Sequence, residues 1–136
     1  MKGLDTNVLV RYLTQDDPKQ AAVAVKEIEW AAARNQKMLL HPLVLCELVW
    51  VLESAYGFDQ AEILKTLERI LRTAQFELLE KDILWLALAD YRRGKGDFSD
   101  YYLGRANERA GAEITLTFDL ALKSDPRFEI LPATRS

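Results

Sequence analysis

Five carboxylates stand where they could do chemistry: Asp5, Glu47, Asp97, Asp100 and Asp119. Asp5 follows a very short apolar start and Asp119 follows the run ITLTF. Both therefore fall just beyond expected strand ends, where open parallel sheets bind ligands. Taken singly, each reads equally well as a helix N-cap or a turn residue. Glu47 lies in LVLCELVWVL with apolar neighbours on every side. A buried carboxylate without a partner is costly, so it calls for an arginine, Arg11 being one candidate, or for a metal ion. Asp97 and Asp100 share the segment DFSD at an expected helix start, with the spacing of a capping box. On that reading the Asp97 side chain caps the helix, and Asp100, one turn further in, can point back over the strand ends.

If Asp5, Glu47, Asp100 and Asp119 meet, each close pair at about 4 Å repels by roughly 4 kcal/mol at an effective dielectric of about 20. Such a cluster needs a cation. Hard divalent ions take oxygen ligands, and Mg²⁺ keeps several waters while binding only one or two carboxylates directly. The chemistry this suits is hydrolysis of a phosphodiester, with the metal lowering the pKa of the attacking water and neutralising the leaving oxygen.

The elements that must position these acids follow from periodicity. LDTN leads a short strand into a helix at about Asn7, and Asp16-Asp17-Pro18 ends it and starts a second helix over roughly residues 18–34. Lys37–Leu40 is a buried strand. Leu43–Tyr56 is an almost wholly apolar helix closed by Gly57, and a helix apolar all round must be buried. Asp59 caps a helix whose Ile63, Leu67, Ile70 and Leu71 form one stripe. A strand over Phe76–Leu79, a helix over Lys81–Arg92 broken by RRGKG, and a helix from Asp97 to Ala110 follow. Glu113–Phe118 and Phe128–Leu131 are the last two strands. Strands alternating with helices imply a central parallel sheet covered on both faces, a three-layer α/β/α sandwich.

A chain of 136 residues, 49% hydrophobic and 29% charged, is expected to form a single domain over residues 1–136. The formal net charge of -3 argues against a broad basic surface, so any nucleic-acid contact must be local. The one cysteine, Cys46, offers neither a disulfide framework nor a CxxC metal site, which fits a reducing cytoplasm. No apolar run is long enough for a signal h-region or a membrane span.

DTNVLVRYL, LCELVWVLESAYG, DFSDYYLGRA and TLTFD, in that order over nearly the whole chain, resemble the four acidic motifs of PIN domains, and in particular those of VapC-like toxins. The resemblance implies that Asp5, Glu47, Asp100 and Asp119 form an acidic tetrad binding Mg²⁺ or Mn²⁺, with Asn7 and Thr117 as polar supports. It further implies endoribonuclease activity on single-stranded RNA, a homodimer, and inhibition by a small cognate antitoxin protein. DFSD carries two acids, so Asp97 and Asp100 compete for the third position.

Other readings fare less well. A haloacid-dehalogenase-like phosphatase needs a second aspartate two residues after the first, where this chain has Asn7. A receiver domain needs paired acids near the first strand and a lysine after a late strand, and Lys123 fits poorly. A PIN-like scaffold that binds RNA or protein without cutting is the non-enzymatic alternative. His41, before Pro42, is assigned no role, and Trp30, Trp50 and Trp85 read as core or interface. Arg93 and Lys95, just ahead of DFSD, and Arg11, one turn beyond Asn7, are the basic groups placed to contact phosphates.

Overall fold

The computed structural model describes residues 1–134. These fall into two compact units, Met1–Glu80 and the stretch from Lys81 onward. The last two residues of the expected single domain lie outside the described residues. All strand pairing is parallel and the strands alternate with helices, the α/β class expected from the sequence.

The first unit runs β1 (Lys2–Gly3), α1 (Thr6–Thr14), α2 (Pro18–Ala33), β2 (Met38–Leu40), α3 (Pro42–Tyr56), α4 (Gln60–Arg72) and β3 (Phe76–Leu78). Its strands lie in the order β1-β2-β3, with Lys2 beside Met38 and Met38 beside Phe76. Parallel neighbours need a crossover, and each is supplied by a helix pair, α1–α2 and then α3–α4. The helix boundaries have local causes. Asp17 accepts a hydrogen bond from the Gln20 N–H, with Pro18 in the first turn. Asp59 and Glu62 form a reciprocal capping box, and α3 stops at Gly57, whose φ of 66° is left-handed. On α4 the stripe Ile63, Leu67, Ile70 and Leu71 is buried, as its periodicity predicts.

Helix α3 corrects one expectation. Its Val44, Leu45, Leu48, Val49 and Leu52 are buried, but Leu43 is 60% and Trp50 71% exposed. Glu47 lies between these two along the same exposed face, one turn from each. An almost wholly apolar helix thus still has an outward side, because composition sets how much of a helix can be buried and the neighbouring elements set how much is.

Arg11 also departs from expectation. Its guanidinium does not pair with Glu47. It donates to Asp16 at 2.9 Å, to the Gln20 side chain at 2.7 Å and to the Tyr56 hydroxyl at 3.2 Å. Tyr56 in turn donates to Asp16 at 2.6 Å. The Tyr56 and Thr14 hydroxyls, with Arg11, hold the Asp16 carboxyl below its ordinary value of 3.8. A depressed native pKa stabilises the fold above the unfolded value and stops doing so as pH falls through the native one. Tyr56→Phe is therefore expected to lower Tm slightly at pH 7. In melts at decreasing pH the difference should shrink as pH falls through the native Asp16 pKa. A difference independent of pH would mean that Tyr56 acts through packing or its bond to Arg11 and not through Asp16.

The second unit contains α5 (Lys81–Arg93), α6 (Phe98–Arg109), β4 (Thr115–Thr117), a 3-10 turn (Leu120–Leu122) and β5 (Phe128–Ile130). Strands β4 and β5 pair with Thr115 beside Phe128. Helices α5 and α6 pack against each other, with the Tyr91 and Phe98 rings edge to face, and Leu84, Ala87, Leu88 and Tyr101 on these helices are also buried. Gly104 lets Phe128 of β5 approach the α6 backbone, since a Cβ there would stand 2.7 Å from its ring.

Candidate active site

In the first unit, Asp5 is the N-cap of α1, and its Oδ1 accepts from the Val8 N–H at 3.0 Å. The cap reading and the chain position beyond β1 thus hold together. The next residue, Thr6, donates its hydroxyl to Glu47 Oε1 at 3.2 Å. This bond ties the start of α1 to the middle of α3 and places Glu47 beside the turn that carries Asp5. The burial argument for Glu47 fails, because the side chain is exposed and needs no buried counter-charge. What distinguishes it is its position against Thr6. A hydroxyl between Asp5 and Asn7 was the available signal, and sequence reasoning passed over it. Asn7 is exposed at the same helix start.

In the second unit the acids interact. Asp97 occupies the N-cap position of α6, but its side chain makes no cap hydrogen bond, contrary to expectation. Asp100, half-buried in the first turn, has its carboxyl pushed above the usual 3.8 by partial burial first, and then by the charges of Asp97 and Asp119. The Asp97 N–H partly offsets this. The box is therefore made in reverse, with the third residue facing the cap's backbone while the cap's own carboxylate stays beside Asp100. Asp119 opens the 3-10 turn, its Oδ1 accepting from the Ala121 N–H at 2.9 Å and its own N–H donating to Thr117 Oγ1 at 3.1 Å. Thr117 thus supports Asp119 through the backbone.

The basic groups divide. Arg93 donates to Asp90 at 2.9 Å while remaining largely exposed, and Lys95 is exposed in the loop between α5 and α6. Asp90 was missed in the sequence. Its side chain is 4% exposed and paired with Arg105 at 2.7 Å, with a second bond from the same guanidinium at 2.9 Å. The signal was legible, since Asp90 falls on the stripe of Ile83, Ala87 and Tyr91, where a lone acid needs a partner.

Among the described residues, no three His, Cys, Asp or Glu side chains come together as a ready-made metal cage. The donor chemistry nevertheless suits a hard cation: Asp100 lies in a field of like charge that a divalent ion would relieve, and Mg²⁺ needs few direct carboxylates.

Residues 3–128, which take in Asp5, Glu47, Asp97, Asp100 and Asp119, match the PIN domain family. The chain belongs to the PIN domain family. It is also 26% identical over 123 residues to a VapC ribonuclease from Aquifex aeolicus (strain VF5), a match covering 90% of each chain. No solved structure matches it. Among the described residues, no helix of this PIN domain is long and apolar enough to cross a membrane.

Proposed function

We propose that this PIN domain is a metal-dependent endoribonuclease, the toxin of a toxin–antitoxin pair, acting in the cytoplasm as a homodimer held in check by a cognate antitoxin. The observation that carries this reading is the match of residues 3–128 to PIN domains, in a chain where the charges of Asp97 and Asp119 both bear on the half-buried Asp100. The likeness to a VapC ribonuclease supports RNA as substrate. In this reading the whole of residues 1–136 is one PIN domain, and Asp5 and Glu47 serve the same reaction as Asp100 and Asp119.

Mg²⁺ or Mn²⁺, when bound, supplies Lewis-acid activation of water and charge neutralisation at the scissile phosphate. The residues supply position and charge. Asp100 and Asp119 are the acids to hold the ion, with Asp97 beside them. Asp5 keeps one oxygen on its own helix N-terminus, which orients the other, and Glu47 is steadied by Thr6. Thr117 fixes the backbone from which Asp119 projects. Lys95, exposed just ahead of Asp97, is the cation best placed to meet a phosphate, whereas Arg11 and Arg93 are engaged by Asp16 and Asp90.

Purified protein is expected to cut a mixed RNA pool with Mg²⁺ or Mn²⁺, to stop in EDTA and to resume on adding back metal. Its Tm should rise with the logarithm of metal concentration, since ligation of the folded state at about 100 times Kd contributes about 2.7 kcal/mol. RNA retained in a mobility shift but never cut with either metal would assign the chain to the scaffold reading instead.

A further inference from the structure

The loop that joins α5 to α6 and carries Lys95 is gripped by one side chain. Tyr101 follows Asp100 on α6 and is 2% exposed. Its hydroxyl accepts a buried hydrogen bond from the Gly96 N–H at 3.0 Å. A Cβ on Gly94 would stand 1.8 Å from that hydroxyl oxygen, and one on Gly96 would stand 2.5 Å from Leu122 Cδ2. Neither glycine is among the positive-φ residues, so each is required here for space rather than for backbone freedom. Leu122 belongs to the turn that opens at Asp119, and its N–H donates to the Asp119 carbonyl at 3.1 Å. The loop before Asp97, the first turn of α6 with Asp100, and the turn begun by Asp119 therefore meet at one knot of Gly94, Gly96, Tyr101 and Leu122.

We propose that Tyr101 is a positioning residue: through its bond to Gly96 and its contact with the glycine loop, it holds Asp97, Asp100 and Asp119 in their relative places before a cation or RNA arrives. Packing alone would be met by phenylalanine. The hydroxyl is what reaches the backbone, and it does so at the residue before Asp97. A site whose charges are aimed in advance need not order them at the moment of reaction. The catalytic consequence rests on the nuclease reading above, whereas the effect on metal binding does not.

The test is Tyr101→Phe in the full chain, read by amide hydrogen exchange and by paramagnetic broadening of backbone amides with Mn²⁺. Exchange at Gly96 should accelerate at least about tenfold. The Mn²⁺ concentration that half-broadens the Asp97 and Asp100 amides should rise about tenfold, the scale of losing a group that orients a metal ligand. On RNA, kcat should fall about tenfold with KM changed less than about twofold. A purely structural tyrosine would lower Tm and leave the Mn²⁺ affinity of the folded protein alone. Faster Gly96 exchange with wild-type Mn²⁺ affinity overturns the proposal. If Tyr101→Phe does not fold, Leu122→Ala keeps the hydroxyl bond and loosens only the Asp119 side; Mn²⁺ broadening at Asp119 should then weaken while Gly96 stays protected, and unchanged broadening overturns the proposal. Wild-type protein that binds Mn²⁺ but cuts no RNA would sink the nuclease reading and leave the Mn²⁺ shift in Tyr101→Phe to decide.

Discussion

Asp100→Asn is expected to lower kcat on RNA at least about 100-fold, the scale of removing one electrostatic group from a site where charge develops. The same substitution should not destabilise the metal-free protein. The Asp100 carboxyl is raised above its ordinary value by partial burial and by Asp97 and Asp119, so its ionised form works against folding. A raised native pKa gives stability that is present below the unfolded value and lost as pH rises through the native one. At pH 7 the asparagine variant should therefore melt at or slightly above wild type, by no more than about 2 °C because solvent screens much of the repulsion. Added Mn²⁺ should reverse the order, stabilising wild type more than the variant. Asp97→Ala gives the contrast. With no side-chain cap bond to lose, it should cost less than the roughly 1 kcal/mol of an ordinary N-cap, while reducing cleavage only about tenfold. Full activity in Asp100→Asn, together with its loss in Asp97→Ala, would move the metal role to Asp97.

The largest expected loss of stability lies away from the candidate site acids, at the buried Asp90. Asp90→Ala leaves the Arg105 guanidinium, 13% exposed, without the carboxylate that takes two of its hydrogen bonds. Breaking a buried pair from one side costs about 3–5 kcal/mol, because the remaining charge stays desolvated. For a chain of this size that corresponds to a fall in Tm of about 10 °C. Replacing both partners, as Asp90→Leu with Arg105→Met, should recover most of the loss, since apolar groups of similar volume remove the uncompensated charge together with its partner. Thermal melts of the two single variants and the double variant measure the coupling. Additive losses would show that the pair does not act as a unit. Because the Asp90 carboxylate also receives Arg93, the variant should free that guanidinium beside the loop ahead of Asp97 as well.

Much of the architecture was legible in the order of residues, because it depends on interactions between near neighbours. The Asp17-Pro18 start of α2, the Asp59–Glu62 box on α4, the Gly57 stop on α3 and the stripe from Ile63 to Leu71 are set by groups three or four residues apart. Acids placed directly after strands β1 and β4 were visible for the same reason. Tertiary structure alone decided how side chains meet across elements. Glu47 was expected inside because every residue around it is apolar, yet the face it shares with Leu43 and Trp50 is exposed among the described residues. Arg11 was a candidate partner for Glu47, yet folding brings Asp16, Gln20 and Tyr56 around it. The DFSD spacing suggested that Asp97 caps and Asp100 is free, whereas the like charge of Asp119, more than a dozen residues away along the chain, bears on Asp100. Local spacing fixes which backbone groups a side chain can reach, but burial and charge are sums over every element that folding brings close, and those sums are not written in any one segment.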